Sequence, residues 1–202
     1  MKLFYSTTSP YARIARIALA EKGFGEIEGE LTDPWKDLPA LLDSNPSARV
    51  PTLVLDDGRA LTESLLIVLW LEARRAQPTL LGTDPDGVLS TAGIAMGAID
   101  AAAAVIIGRK MTDASFDESP VGLRRRRSVI NAMQRLEARP PVYEGGVPDF
   151  AVIASVVAVD YLRFRFPSAP WLPALSRLDA LAAKAHARAA FAETMPRDMP
   201  AT

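Results

Sequence analysis

The sequence predicts an α+β protein of two domains, a small mixed sheet with its helices followed by an all-α bundle. Three observations carry this. Strand-type patterns are confined to the first third of the chain, QPTLLGTDPD at residues 77–86 breaks the pattern with two prolines and a glycine, and everything beyond reads as helix. The expected division is residues 1–78, a linker at 79–86, and a helical domain at 87–202.

Lys2-Leu3-Phe4-Tyr5 alternates as a short strand. A polar loop, Ser6-Thr7-Thr8-Ser9, leads into Pro10, and serine at the cap with proline at the first helical position is a good helix start. Tyr11, Ile14, Ala15 and Ala18 form the expected buried stripe, with Arg13, Arg16, Glu21 and Lys22 outward and Gly23 as the stop. Residues 26–31 alternate as a second strand, and residues 33–44, with Pro34, Trp35 and Pro39, suit a loop and a short irregular helix.

Val50-Pro51 precedes the apolar, β-branched run Thr52-Leu53-Val54-Leu55, so Pro51 opens a strand where its missing N–H is tolerated. Asp56-Asp57-Gly58 supplies a hairpin turn and Arg59-Ala60-Leu61 the return strand. Thr62-Glu63-Ser64 then opens a helix in which Leu65, Leu66, Leu69 and Trp70 repeat at helical spacing. Strand, helix, strand, hairpin and helix make up the first domain. In the second, residues 88–111 are rich in alanine and glycine, carry Asp100 and are expected to fall short of a membrane span. Residues 122–138 form a charged amphipathic helix, 150–164 a buried central one, and 173–194 a terminal helical segment or pair.

Hydrophobic residues at 49% and charged residues at 23% are ordinary globular usage and argue against disorder. A chain of 202 residues buries roughly 70% of its unfolded surface, enough for a sizeable core. The formal net charge of −1 gives no long-range attraction to nucleic acid or anionic membrane. With no cysteine and a single histidine, His186, neither a thiolate nucleophile nor a Cys- or His-based metal centre is expected. No signal sequence opens the chain, and the expected location is the cytoplasm.

Residues 45–72 hold the most informative chemistry. A cis Val50-Pro51 bond would bend the chain and turn the N–H and C=O of Val50 outward, ready to pair with an extended peptide as an extra strand. The helix opening near Thr62 presents free N–H groups and the positive end of its dipole to a carboxylate, with the Ser64 hydroxyl as an added donor. Glu63 beside it suits an ammonium. A ligand with an α-amino acid head and a peptide body matches both ends of this surface.

NPSARVPTL, followed by Glu63-Ser64, resembles the glutathione-binding half of the glutathione S-transferase family, and MKLFYSTTSPYARIARIALAEKG resembles its first strand and helix. The resemblance runs through nearly the whole chain. It implies a thioredoxin-like first domain and a helical second one. It also implies glutathione as co-substrate, a small hydrophobic electrophile as the second substrate, and a homodimer. Glu63 and Ser64 would hold the γ-glutamyl end, Val50 with Pro51 the cysteinyl backbone, and Arg49 the glycyl carboxylate, with Trp35 and Lys36 as weaker candidates there. Ser9 is the expected catalytic residue, matching the cysteine position of cysteine-type members. Thr8 matches the serine of serine-type members, and Tyr5 roughly the tyrosine of tyrosine-type ones. The alternative is a non-catalytic glutathione-binding or scaffold protein of the same fold.

One hydroxyl is about sufficient for such chemistry. Lowering a thiol pKa from about 8.5 to about 6.5 raises its thiolate fraction at pH 7 roughly twentyfold and requires about 2.7 kcal/mol. A hydrogen bond to the charged sulfur contributes about 1.5–3 kcal/mol, and a helix N-terminus about 0.3–1 kcal/mol more.

The sequence GGVPDF also resembles the family's capping motif, with Asp149 retained and Gly146 where the capping hydroxyl belongs, so one cap bond worth about 1 kcal/mol is missing or replaced. Arg109, Lys110 and Asp100 are candidates for the border of the electrophile pocket. The run from Arg124 to Arg127 spreads around a helix and reads as a solvated face or subunit contact.

Overall fold

The computed structural model describes residues 1–25 and 27–200. Strand β1 (Lys2–Tyr5) leads through the Ser6–Ser9 loop into α1 (Pro10–Glu21) and then β2 (Glu28–Leu31). Of the strand expected over 26–31, Glu26 lies outside the described residues. A 3-10 turn (Pro34–Lys36), capped by the Asp33 carboxylate on Trp35 N–H, precedes α2 (Pro39–Ser44). Strands β3 (Thr52–Val54) and β4 (Ala60–Thr62) form the hairpin, and α3 (Ser64–Arg74) follows.

The four strands lie in the order β2-β1-β3-β4, with β1 parallel to β2 and antiparallel to β3. This is a thioredoxin-like sheet. Leu3, Phe4 and Leu53 are buried on it, and α1 packs beside α3. Leu65, Leu66 and Leu69 are exposed, and α3 buries Ile67, Val68 and Leu71. The helix forms as its spacing predicts, and its inward face is that of Ile67, Val68 and Leu71.

The chain divides into two compact units, Met1–Leu80 with Arg188–Thr202, and Leu81–Ala187. The expected helical domain of 87–202 is therefore too long at its C-terminal end, because the last segment packs on the first unit. The cause lies on α1. Arg13 and Glu21, expected outward, are buried. Arg13 donates to the Phe191 carbonyl at 3.3 Å and the Thr194 hydroxyl at 3.3 Å, while Glu21 accepts both guanidinium arms of Arg188. Phe191, on the short helix α8 (Ala189–Ala192), fills the apolar space beside them. Lys22 is buried as well, its ammonium 2.6 Å from the Glu72 carboxylate and 2.7 Å from the Pro78 carbonyl.

The second unit holds α4 (Pro85–Met111), α5 (Pro120–Ala138), α6 (Phe150–Arg165) and α7 (Ser176–Ala185), with a 3-10 turn at Ala114–Glu118. Helix α4 packs on α5 and α6. Contrary to expectation, α4 is long and apolar enough to span a membrane by length and composition, though half of its most apolar window is buried inside the fold. Helix α6 is buried from Phe150 through Leu162. Its cap is Asp149, whose carboxylate accepts the Val152 N–H at 2.9 Å, so the bond in question at Gly146 is supplied three residues later. Glu137, near the end of α5, accepts the N–H groups of Arg177 and Leu178 at 2.8 and 3.0 Å, and Arg177 donates back to the last carbonyls of α5.

Candidate functional site

Strand register gathers the candidate residues. Phe4 pairs with Thr52, and Thr52 with Thr62, so the loop leaving β1, the corner entering β3 and the start of α3 meet at one end of the sheet. Ser6–Ser9, Val50-Pro51 and Glu63-Ser64 therefore share that end.

The Val50-Pro51 peptide is cis. Its corner is wound around Asn45, which is buried and donates from Nδ2 to the Arg49 carbonyl and the Thr52 hydroxyl, each at 3.1 Å. Thr52 Oγ1 donates in turn to the same Arg49 carbonyl at 2.8 Å, and Asn45 Oδ1 accepts the Ser47 N–H at 3.1 Å. Among the described residues, neither the N–H nor the C=O of Val50 has a hydrogen-bond partner.

At the mouth of α3, Glu63 is the N-cap with φ 65°, and no side chain caps the helix. A side chain other than glycine at positive φ is uncommon and is held by its surroundings. Ser64 is buried at 1% exposure, and its hydroxyl has no hydrogen-bond partner among the described residues. An uncapped N-terminus with a hydroxyl beside it offers donors that suit an anion. Glu63 itself is exposed and lies 3.5 Å from the Arg49 guanidinium.

Ser9 is the N-cap of α1, accepting the Ala12 N–H at 3.1 Å. That bond uses an oxygen lone pair and leaves the hydroxyl hydrogen to donate elsewhere. Ser6 and Thr8 share a hydroxyl pair at 3.0 Å. The Tyr5 ring lies under the Arg16 guanidinium at 4.6 Å and over Gly29, where an added Cβ would sit 3.1 Å from Tyr5 Cε1. Burial holds the Arg16 guanidinium below its ordinary value. The C-terminal segment reaches this loop, with Arg197 N–H donating to the Thr7 carbonyl at 3.3 Å and the Met199 sulfur 3.4 Å from the Thr7 hydroxyl.

Trp35 sits on an exposed turn beside Lys36. Arg109 is engaged within the second unit, bidentate to Asp117 and stacked on the Phe166 ring at 4.9 Å. This guanidinium holds the Asp117 carboxyl below the usual carboxylate range. Arg126 pairs with Glu118 at 3.0 Å, and Arg124, Arg125 and Arg127 are exposed. His186 is partly exposed and lies 2.9 Å from the buried Asp160 carboxylate. Among the described residues no cluster of three metal-ligating side chains occurs. The Asn45 and Thr52 network was not read from the sequence, although asparagine ahead of proline is a loop signal through its side-chain turn.

The family profile "Glutathione S-transferase, N-terminal domain" matches residues 8–74. The crystal structure of a glutathione S-transferase from Methylobacterium radiotolerans, in complex with glutathione sulfonate, superposes with a TM-score of 0.86 at 31% identity, covering 100% of this chain and 97% of that one. The GST-like protein YibF of Escherichia coli is 28% identical over 97% of this chain and 98% of its own length. Maleylacetoacetate isomerase of Pseudomonas aeruginosa is 41% identical over 92 residues, 42% of each chain. The chain belongs to the glutathione S-transferase family.

Proposed function

We propose that this protein is a glutathione transferase that holds glutathione at the sheet end described above and activates its sulfur against a small hydrophobic electrophile. The observation that carries this reading is the register, Phe4 to Thr52 to Thr62, which places a hydroxyl-bearing helix start, an unpaired Val50 backbone and an uncapped helix mouth side by side. In this reading Val50, ahead of cis Pro51, pairs with the cysteinyl backbone as a short added strand. Ser64 and the first N–H groups of α3 take the γ-glutamyl carboxylate, and Glu63 its ammonium. Arg49 reaches the glycyl carboxylate. Ser9, already satisfied as an acceptor by Ala12, donates a hydrogen bond from its hydroxyl to the thiolate while keeping its proton, and the start of α1 adds its dipole.

A second reading, a glutathione-dependent isomerase, is favoured by the identity with maleylacetoacetate isomerase across part of the chain. It uses the same activated sulfur, which adds to a double bond, allows rotation and leaves. The exposed leucines of α3, Leu65, Leu66 and Leu69, support a homodimer, since a contiguous apolar face marks a contact surface. The absence of cysteine fits a reducing, cytoplasmic setting.

Calorimetric titration with glutathione, then turnover with a generic aryl halide and with a maleyl substrate, tests the reading. Binding with aryl transfer supports the transferase, and binding with isomerisation alone supports the second reading. Binding without either reaction leaves a glutathione-binding scaffold, and no binding overturns all three.

A further inference from the structure

We infer that Asn45 and Thr52 are positioning residues for glutathione capture, acting through the Arg49 carbonyl to fix the backbone of Val50; this rests on the functional reading above. Three polar groups close a ring here. Asn45 Nδ2 donates to the Arg49 carbonyl and to Thr52 Oγ1, each at 3.1 Å, and Thr52 Oγ1 donates to the Arg49 carbonyl at 2.8 Å. The Arg49 carbonyl thus receives two donors, one for each lone pair.

The remaining groups of Asn45 bind the loop to itself. Its Oδ1 accepts the Ser47 N–H at 3.1 Å, its carbonyl accepts the Ala48 N–H at 2.8 Å, and its N–H donates to the Leu41 carbonyl at 2.7 Å. Asn45 is 4% exposed and Thr52 0% exposed, so water does not compete for these bonds. Thr52 is also anchored in the sheet between Phe4 and Thr62.

The consequence concerns the next residue. The Arg49 carbonyl belongs to the peptide unit that carries the Val50 N–H, so fixing that oxygen fixes the plane of the amide that a peptide ligand would meet. The peptide plane is rigid, and orienting one end orients the other. The loop satisfies its own polar groups around Asn45 and leaves Val50 N–H and C=O unpaired among the described residues. Neither Asn45 nor Thr52 needs to touch the ligand. Their part is to hold the rung on which it docks in a bound-like orientation before it arrives.

The test compares Thr52→Val, which keeps the shape and removes the hydroxyl, with Thr52→Ser, which restores it, and with Asn45→Asp, which removes both amide donations. Glutathione affinity by calorimetry, KM for glutathione against kcat, and Tm are measured for each in the full chain. The positioning role predicts affinity for glutathione about three- to tenfold weaker in Thr52→Val and Asn45→Asp, recovered in Thr52→Ser. It also predicts a raised KM and a kcat within about twofold of the parent at saturating glutathione. Unchanged glutathione affinity in either folded variant at a temperature well below its Tm, with only Tm lowered, overturns the inference and leaves the functional reading standing. Absence of glutathione binding by the parent protein overturns both. Where Thr52→Val fails to fold, Asn45→Asp and Thr52→Ser decide the question by the same readouts.

Discussion

The Arg49 guanidinium lies 3.5 Å from the Glu63 carboxylate, joining the corner before β3 to the mouth of α3. Both side chains are exposed, so the pair adds little to stability. Its interest is that the two residues proposed for opposite ends of the ligand are paired with each other. Glu63→Gln is expected to weaken glutathione binding about tenfold or more, the loss of a charge-assisted bond. Arg49→Ala loses only a few fold, because removing it also frees Glu63. Calorimetry on both variants checks this, and a Glu63→Gln protein with parental affinity would refute the assigned role.

Ser9 caps α1 and is proposed to hold the glutathione sulfur, and substitution separates the two roles. Ser9→Ala removes the cap on Ala12 and is expected to cost about 1 kcal/mol of stability. Its kcat/KM for conjugation should fall roughly 10- to 100-fold. Ser9→Asp retains a capping oxygen and opposes the thiolate, so it should keep Tm and lose turnover. Stopped-flow turnover beside thermal unfolding reads both. Activity surviving in Ser9→Ala but lost in Thr8→Val would move the role to Thr8.

Lys22 and Glu72 form a buried pair, extended by the Thr79 hydroxyl at 2.8 Å and the Leu80 N–H at 2.9 Å, both donating to Glu72. Burial disfavours the Glu72 carboxylate, yet the bonds from Lys22, Leu80 and Thr79 outweigh it and hold the group below its ordinary 4.5. A depressed carboxyl contributes stability that is fully present above its unfolded value and is lost as pH falls through the folded one. Tm should therefore fall as pH drops below about 4.5, and Glu72→Gln should flatten that part of the profile. Lys22→Met leaves Glu72 unpaired and is expected to cost about 3 kcal/mol or more at pH 7.

The last segment of the chain stabilises the first unit. Arg13→Ala removes its bonds to Thr194 and the Phe191 carbonyl and strips a buried guanidinium from its shell, with an expected cost of about 2–3 kcal/mol. Limited proteolysis should then cut near Arg188 first. Equal protection of that segment in parent and variant would contradict the account.

Much of the first unit was legible because its signals are local. Ser9-Pro10, Val50-Pro51 and Asp57-Gly58 each specify a helix start, a strand start or a turn through their own backbone preferences. The buried charges were illegible because their partners are remote in sequence. Arg13 looks like a surface residue until Thr194 and Phe191 arrive, 181 and 178 residues later, and Lys22 until Glu72 does. The inward face of α3 was not legible because both sides of that helix are apolar, and periodicity alone does not rank Leu66 against Ile67. In the candidate site, the residues proposed to face the ligand carried a motif. Asn45 and Thr52, which hold the loop from inside, became visible only through their hydrogen bonds.

The central claim is that this sheet end holds a thiol tripeptide and keeps its sulfur charged. The ultraviolet absorbance of the thiolate, titrated against pH with the protein saturated in glutathione, measures it directly. The account predicts a bound thiol that ionises near about 6.5, against about 8.5 in solution, and that returns toward the solution value in Ser9→Ala. A bound thiol that titrates as it does in free solution would contradict it.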